Sequence, residues 1–485
     1  MRRGVRTRSF GEGMGIDRKG TARGAARSLG MFLVFACAAA TAGERPRIAI
    51  TDVSIVDVEH GRVVGPRTVL IADGRIAAID APSKIEAPPD AERMDGHGRF
   101  LMPGLVDMHV HLFNNASHRP PNTWSFPLYV ANGVTAVREM AAVPESIATV
   151  QRWRSALADG SLVAPRIVAA GVVAWGPSPD EARHQVDLAA DAGADFIKVF
   201  SELSEPAWRA VLDAAKRRSL PVMGHVPAGV SALTAAEAGE RSEEHLMQVF
   251  EACSTIERET LAARRDLAGE ALVARRDADE ARVLAAFDAP TCDRAAQALA
   301  RAGEAQVPTL VLDYVESQPG DADYAQDPRF SYLRADERAR WLRIAHDLGA
   351  EEREVASKRW AVARKIVASL ERANVPVLAG TDSPMPGVYP GYALHDELER
   401  LVDSGYSPAE ALRAATLLPA TFLHIDAELG SVATGKRADL VLLDADPLRD
   451  VRNARRIDAV VLDGRLLRRA GLDGLLAGAA RDASK

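Results

Sequence analysis

Cysteine is nearly absent from this 485-residue chain, which has three. So few cannot build a disulfide scaffold. Cys37 lies in a leader-like stretch; Cys253 and Cys292 remain, and they either pair in an oxidising compartment or stay as two buried thiols. Excess positive charge is missing too: 60 Lys+Arg face 67 Asp+Glu, a net of −7. Residues 1–42 hold eight of the basic residues and two of the acids, leaving 52 against 65, or −13, for the rest. A body so charged repels phosphate backbones and anionic lipid, which excludes nucleic acid as a partner. No apolar run is long enough to span a bilayer comfortably, so no integral membrane span is expected. Solenoid-type repeats and low-complexity tracts outside the leader are also lacking. What is there is 47% apolar, 26% charged and 5% aromatic, a globular composition that rules out wholesale disorder. The length suits either roughly three domains or one large α/β barrel with additions.

The basic start runs into Met31-Phe-Leu-Val-Phe-Ala-Cys-Ala-Ala-Ala-Thr-Ala42, with Ala40-Thr-Ala42 as a small-x-small cleavage site. Residues 1–42 therefore read as a signal peptide, and the mature protein as periplasmic or secreted. A tail ahead of a true start at Met14 is the other reading. Cys37 follows Val-Phe-Ala, a poor lipid-attachment signal, so no lipoprotein anchor is expected.

Two β-rich ends flank a different middle. Residues 43–103 and 429–475 share β-branched runs and matched hairpin signals, Asp73-Gly74 and Asp463-Gly464. Both ends together are expected to build one small β-sandwich domain. Between them, residues 104–428 alternate short apolar strands with Ala-rich amphipathic stretches, the grammar of a (β/α)8 TIM barrel in an α/β fold. The candidate strands are 104–112, 133–138, 166–171, 194–200, 221–226, 241–245, 308–312 and 375–382. Charged, Ala-rich residues 250–305 and 334–372 read as helices, either on the surface or capping the barrel mouth.

The chemistry-bearing residues fall at the strand ends. In Gly104-Leu-Val-Asp-Met-His-Val-His-Leu112, His109 and His111 are two apart, so in a strand they leave one face and can grip one metal ion. An isolated His-x-His is just as compatible with packing. Lys198 interrupts the apolar strand Ala194-Asp-Phe-Ile-Lys-Val-Phe200, where an ammonium must snorkel, pair or lose its charge. A neutral amine there can take up CO2 as a carbamate able to bridge two cations. His225, His245 and Asp382 each end a short apolar or turn-bounded segment, where barrel chemistry is placed.

In this order and spacing the residues resemble the amidohydrolase superfamily over roughly residues 47–470, within its imidazolonepropionase-related branch that includes Xaa-Pro dipeptidases. The matching pieces are Pro103-Gly-Leu-Val-Asp-Met-His-Val-His-Leu112, Asp195-Phe-Ile-Lys-Val199, Gly224-His-Val-Pro227, Ser242-Glu-Glu-His-Leu246 and Ala379-Gly-Thr-Asp-Ser383. Leu394-His-Asp-Glu-Leu398, Ala411-Leu-Arg-Ala-Ala-Thr416 and Gly435-Lys-Arg-Ala-Asp-Leu-Val441 add to them. The resemblance implies two divalent ions, zinc by preference. His109, His111 and Asp382 would hold one ion, His225 and His245 the other, with carboxylated Lys198 and a hydroxide bridging them. It further implies attack by that hydroxide on a C–N amide bond, with Asp382 shuttling the proton and His245 beside it as a catalytic residue. A mononuclear site on His109, His111, His225 and Asp382 is the fallback. Two departures stand out: Glu243 precedes Glu244 where relatives more often have an apolar residue, and His424 stands where they usually have glycine.

Substrate selection is less legible. Trp175, Tyr392 and His395 are the candidate substrate contacts; Trp124, Phe200 and Tyr389 also lie near the expected mouth. Arg138 and Glu139 end the second strand and could pair with each other or meet a charged ligand. The expected substrate is a small molecule, a dipeptide or N-acyl amino acid. A cyclic amide or ester, as for imidazolonepropionase, is the alternative, and a catalytically silent metal-binding envelope protein is the rival from another class. Whether the chain forms a homo-oligomer is left open.

Overall fold

The structure is a computed structural model that describes residues 47–113, 120–318, 326–347 and 349–484. The expected signal peptide, with Cys37, lies outside the described residues.

Both ends of the described chain build one eight-stranded sheet. Its order is Arg465–Arg468, Ile457–Leu462, Leu440–Leu443, Phe100–Pro103, Ile48–Asp57, Arg62–Ala72 and Arg75–Asp80, with Glu92–Asp95 pairing in parallel to Ile48–Asp57. The two hairpin signals close as their sequences require: Asp73 and Gly74 take φ of 51° and 76°, Asp463 and Gly464 of 50° and 74°. A two-residue turn with both residues left-handed matches the twist of the strands it joins. The two tips abut, since a Cβ on Gly464 would lie 2.4 Å from Gly74 Cα. Alternate residues, among them Ile48, Ile50, Val69, Ile71, Leu440 and Leu442, form the core of this domain.

The middle of the chain is the barrel. Leu105–Val110, Val134–Ala142, Arg166–Val173, Phe196–Val199, Val222–Gly224, Glu240–Glu244 and Ala305–Val307 lie side by side in that order, every pair parallel. Residues 376–383 close the ring between the last and first strands. Leu378 N–H donates to Gln306 O at 2.9 Å, and Met108 N–H to Ala379 O at 2.9 Å. This eighth segment is no regular strand. A Cβ at Gly380 would meet Val307 Cγ1 at 2.6 Å and His109 Cβ at 2.9 Å, so the backbones approach closely there. Asp382 has φ of 62°, and Ser383 after it still pairs with the first strand, accepting from His111 N–H at 2.8 Å.

One expected strand is corrected. Residues 308–312 are not a strand; the ladder uses Ala305–Val307, and Leu310–Ser317 is a helix. Pro308 has no N–H to donate, and Thr309, with φ of 47°, leaves the extended region. The charged stretches are helical as expected, including Gly269–Ala285, Ala289–Ala302 and Ala350–Arg372. Cys253 and Cys292 form a disulfide between these helical elements. Arg166 at the foot of the third strand reaches Asp439 at 3.2 Å and Asp463 at 3.0 Å, tying barrel to sheet. Among the described residues no helix is long and apolar enough to cross a membrane.

Candidate metal centre

The first barrel strand carries a register shift between Asp107 and Val110. Such a bulge re-aims side chains. Val106 and Met108 fill the barrel floor with Ala136, Ala305, Val307 and Leu378. Beyond the bulge His109 and His111 turn to the same interior, and Val110 and Leu112 pack outward in the main core. The other candidate ligands arrive at the C-terminal ends of their strands: Lys198 in the fourth, His225 after the fifth, His245 after the sixth, Asp382 in the closing segment. That is the barrel's functional face.

The imidazoles form a continuous file. Ring centroids are 5.3 Å apart for His111 and His109, 4.6 Å for His109 and His245, and 4.9 Å for His245 and His225. Asp382 Oδ1 lies 2.6 Å from His111 Nε2 and 3.3 Å from His109 Nε2. His109, His245 and Asp382 present ligand atoms all within 4.8 Å of one another. His109 Nε2, His111 Nδ1, His225 Nδ1 and Lys198 Nζ are buried without a hydrogen-bond partner. Buried polar atoms are rarely left so. Nitrogen and carboxylate donors converging with free lone pairs fit a divalent ion such as zinc.

The electrostatics agree. Burial pushes His225 and His245 well below the usual histidine range, aided by Lys198 for the first and His109 for the second. Both are thus neutral, the form that binds metal. Burial lowers Lys198 to about 8, within reach of a neutral amine. Burial would raise Asp382, but His111 and His109 hold it well below the usual carboxylate range.

Two partners fix the histidines from behind. Glu244 Oε2 lies 2.7 Å from His109 Nδ1, and Thr309 Oγ1 lies 2.7 Å from His245 Nδ1. Glu244 is clamped by Arg138, whose Nη2 donates to its two oxygens at 2.9 and 3.0 Å. Against its burial, Arg138 and then His109 hold the Glu244 carboxyl far below its ordinary value. Asp107 joins the first and last ligand segments: it accepts from His109 N–H at 3.2 Å and from Thr381 Oγ1 at 2.7 Å.

Of the two readings of Arg138 and Glu139, pairing with each other is not what forms. They are neighbours in a strand and point to opposite faces. Glu139 instead accepts from the Leu112 and Ala141 N–H groups, anchoring the turn after His111. Arg138 and Glu244 together, Asp107 and Thr309 were not legible as site residues. Arg138 stands in the second barrel strand and Glu244 in the sixth, with three strands between them in the ladder, so nothing local in the sequence joins them. His424 is left-handed with φ of 59°, a backbone conformation that glycine adopts without strain.

Of the three candidate substrate contacts, Trp175 is 38% exposed just beyond the third strand, on the functional face. Tyr392 stacks on Tyr332, ring centroids 6.1 Å apart, beside a cluster of Trp124, Phe330, Trp341 and Tyr389. His395 is not brought to the mouth: it is 2% exposed and its Nε2–H donates to Asn132 O at 2.9 Å.

The model of the amidohydrolase family matches residues 100–467, so the chain belongs to that family. Among relatives, it is 35% identical over 94 residues to the dihydroorotase of Anaeromyxobacter sp. (strain K), which is 18% of this chain and 21% of that enzyme. The chain thus spans about a fifth of the length of the curated relatives it matches. Solved structures align over nearly the whole chain. A Bifidobacterium longum protein assigned as a prolidase is 25% identical, covering 90% of this chain and 99% of that one, with a TM-score of 0.62. Bottromycin amidohydrolase is 24% identical over 91% of this chain and 92% of its own, with a TM-score of 0.67. A Xaa-Pro dipeptidase shares the fold at 19% identity and a TM-score of 0.62, covering 87% of this chain and all of that one.

Proposed function

We propose that the protein is a metal-dependent hydrolase of a C–N amide bond in a small substrate, a dipeptide or an N-acyl amino acid. The supporting observation is the buried convergence of His109, His245 and Asp382 at the C-terminal face of the barrel, within 4.8 Å of one another. His109, His111 and Asp382 would hold one divalent ion and His225 and His245 a second, with Lys198, as a carbamate, between them. When bound, such ions supply Lewis acidity for activating water and polarising a carbonyl. The chain's own contribution is to present neutral imidazoles in fixed orientation and to place an ionised Asp382 carboxylate where it can accept a proton and deliver it to the departing nitrogen. His245, 5% exposed, borders that position. Trp175 and Tyr392 would meet the substrate; His395 is left out.

The dipeptide reading rests on the neighbours named for prolidase and Xaa-Pro dipeptidase activity, together with the full-length overlap. The test is turnover of Xaa-Pro dipeptides and N-acyl amino acids against lactams and esters. Hydrolysis of the first group, abolished in Asp382→Asn with metal retained, is expected. Turnover of the second group alone would replace the substrate class, and none in either would favour the silent metal-binding protein.

We further propose that the mature chain works in an oxidising compartment. The Cys253–Cys292 disulfide supports this, since such bonds are rare where thiols are kept reduced. Exported protein should begin near Gly43; an intact Met1 would overturn the proposal.

A further inference from the structure

Thr309 occupies the N-cap position of the helix Leu310–Ser317, and its carbonyl accepts from Leu312 N–H at 2.9 Å, yet its backbone and its hydroxyl depart from what that position normally shows. An N-cap residue is normally extended, and its hydroxyl accepts from the helix's first N–H groups. Thr309 has φ of 47° and ψ of 46° and makes no capping bond. A β-branched side chain in this left-handed region is a costly outlier. The helix end is satisfied from elsewhere: Glu397, on the helix Tyr392–Asp403, accepts from Val311 N–H at 2.7 Å. The Thr309 hydroxyl faces the other way, 2.7 Å from His245 Nδ1, and the residue is 1% exposed.

His245 is itself held at three points. Its N–H donates to Val307 O at 2.9 Å, and its carbonyl accepts from Arg359 Nη2 at 3.1 Å. Arg359 is in turn fixed by Asp313, on the helix that Thr309 begins, at 2.7 Å. The backbone ties locate the residue but leave its ring free to turn. The hydroxyl is the partner of the ring's Nδ1. With Nε2 turned to a metal ion, Nδ1 carries the proton and the hydroxyl can accept it, and such outer partners govern ring orientation and metal affinity.

We propose that Thr309 is the positioning residue of His245, held in a strained backbone so that its hydroxyl fixes the angle of that ring. This rests on the reading of His245 as a metal ligand.

The test is zinc affinity, measured by chelator competition on the full chain, for the wild type and three variants. Thr309→Val keeps the branched shape and removes the hydroxyl; its affinity for the ion on His245 should fall about 10- to 100-fold. Thr309→Ser keeps the hydroxyl and should stay within about threefold of wild type, well short of that loss. Thr309→Gly releases the backbone strain and should lose affinity as the valine does, without lowering the unfolding temperature of the metal-free protein. It also serves if the valine variant does not fold. Wild-type affinity in both Thr309→Val and Thr309→Gly would overturn the role of Thr309 while leaving the metal centre standing. A wild type that binds no zinc would overturn both.

Discussion

The clamp behind His109 offers the sharpest energetic test. Arg138 and Glu244 are both fully buried, at 0% exposure. Arg138 donates to Met108 O at 2.6 Å, to Ser242 Oγ at 3.1 Å and to both Glu244 oxygens. Arg138→Met fills much of the same volume but strands the Glu244 carboxylate in the barrel. Removing one partner of a buried ion pair costs about 3–5 kcal/mol, because the other charge is left uncompensated. The lost bond to Met108 O adds about 1 kcal/mol, while Ser242 keeps its own bond to Glu244 at 2.7 Å. The expected loss is therefore about 4–6 kcal/mol in urea unfolding of the metal-stripped protein. Arg138→Met with Glu244→Leu should lose clearly less than Arg138→Met alone, since no charge is stranded. A loss under about 1 kcal/mol for the single variant, or a double variant no better than the single, would refute the clamp.

Three further outcomes follow from other parts of the molecule. Replacing Cys253 and Cys292 by alanine opens a cross-link spanning 39 residues, and should cost at most about 4 kcal/mol of stability on the chain-entropy account; unchanged stability would argue against the bond in solution. Burial lowers His395 from 6.5 to about 3, so below pH 6.5 the unfolded chain takes up a proton that the native one refuses. Stability from this group is whole above pH 6.5 and falls with acid, by about 2 kcal/mol at pH 5, and His395→Gln should flatten that slope in pH-dependent denaturation. Lys198→Ala should lower metal content, with partial recovery in short carboxylic acids; full retention of metal would remove lysine from the centre.

The fold was legible where local rules and tertiary structure agree. Asp73-Gly74 and Asp463-Gly464 announce their hairpins because only residues tolerant of positive φ fit such turns. The segment from Leu105 to Val110 announces a strand because four of its six residues are apolar, and it is buried on both faces. The convergence of His109, His245 and Asp382 was legible because metal chemistry asks for those residue types at strand ends. The seventh strand was missed because Ala305–Val307 is three residues long and lies between Glu304 and Pro308, while the apolar run beside it became a helix. Arg138, Glu244 and Thr309 were hidden for another reason: their partners are distant in the chain, and Thr309 violates the local preference by which it would be recognised.

The most direct test of the convergent metal centre is elemental analysis of the chain stripped, reloaded with zinc and desalted. Two ions per chain are expected for the wild type, with the content falling sharply in His245→Ala and Asp382→Ala. A wild-type protein that leaves the desalting column folded but carrying no zinc would contradict it.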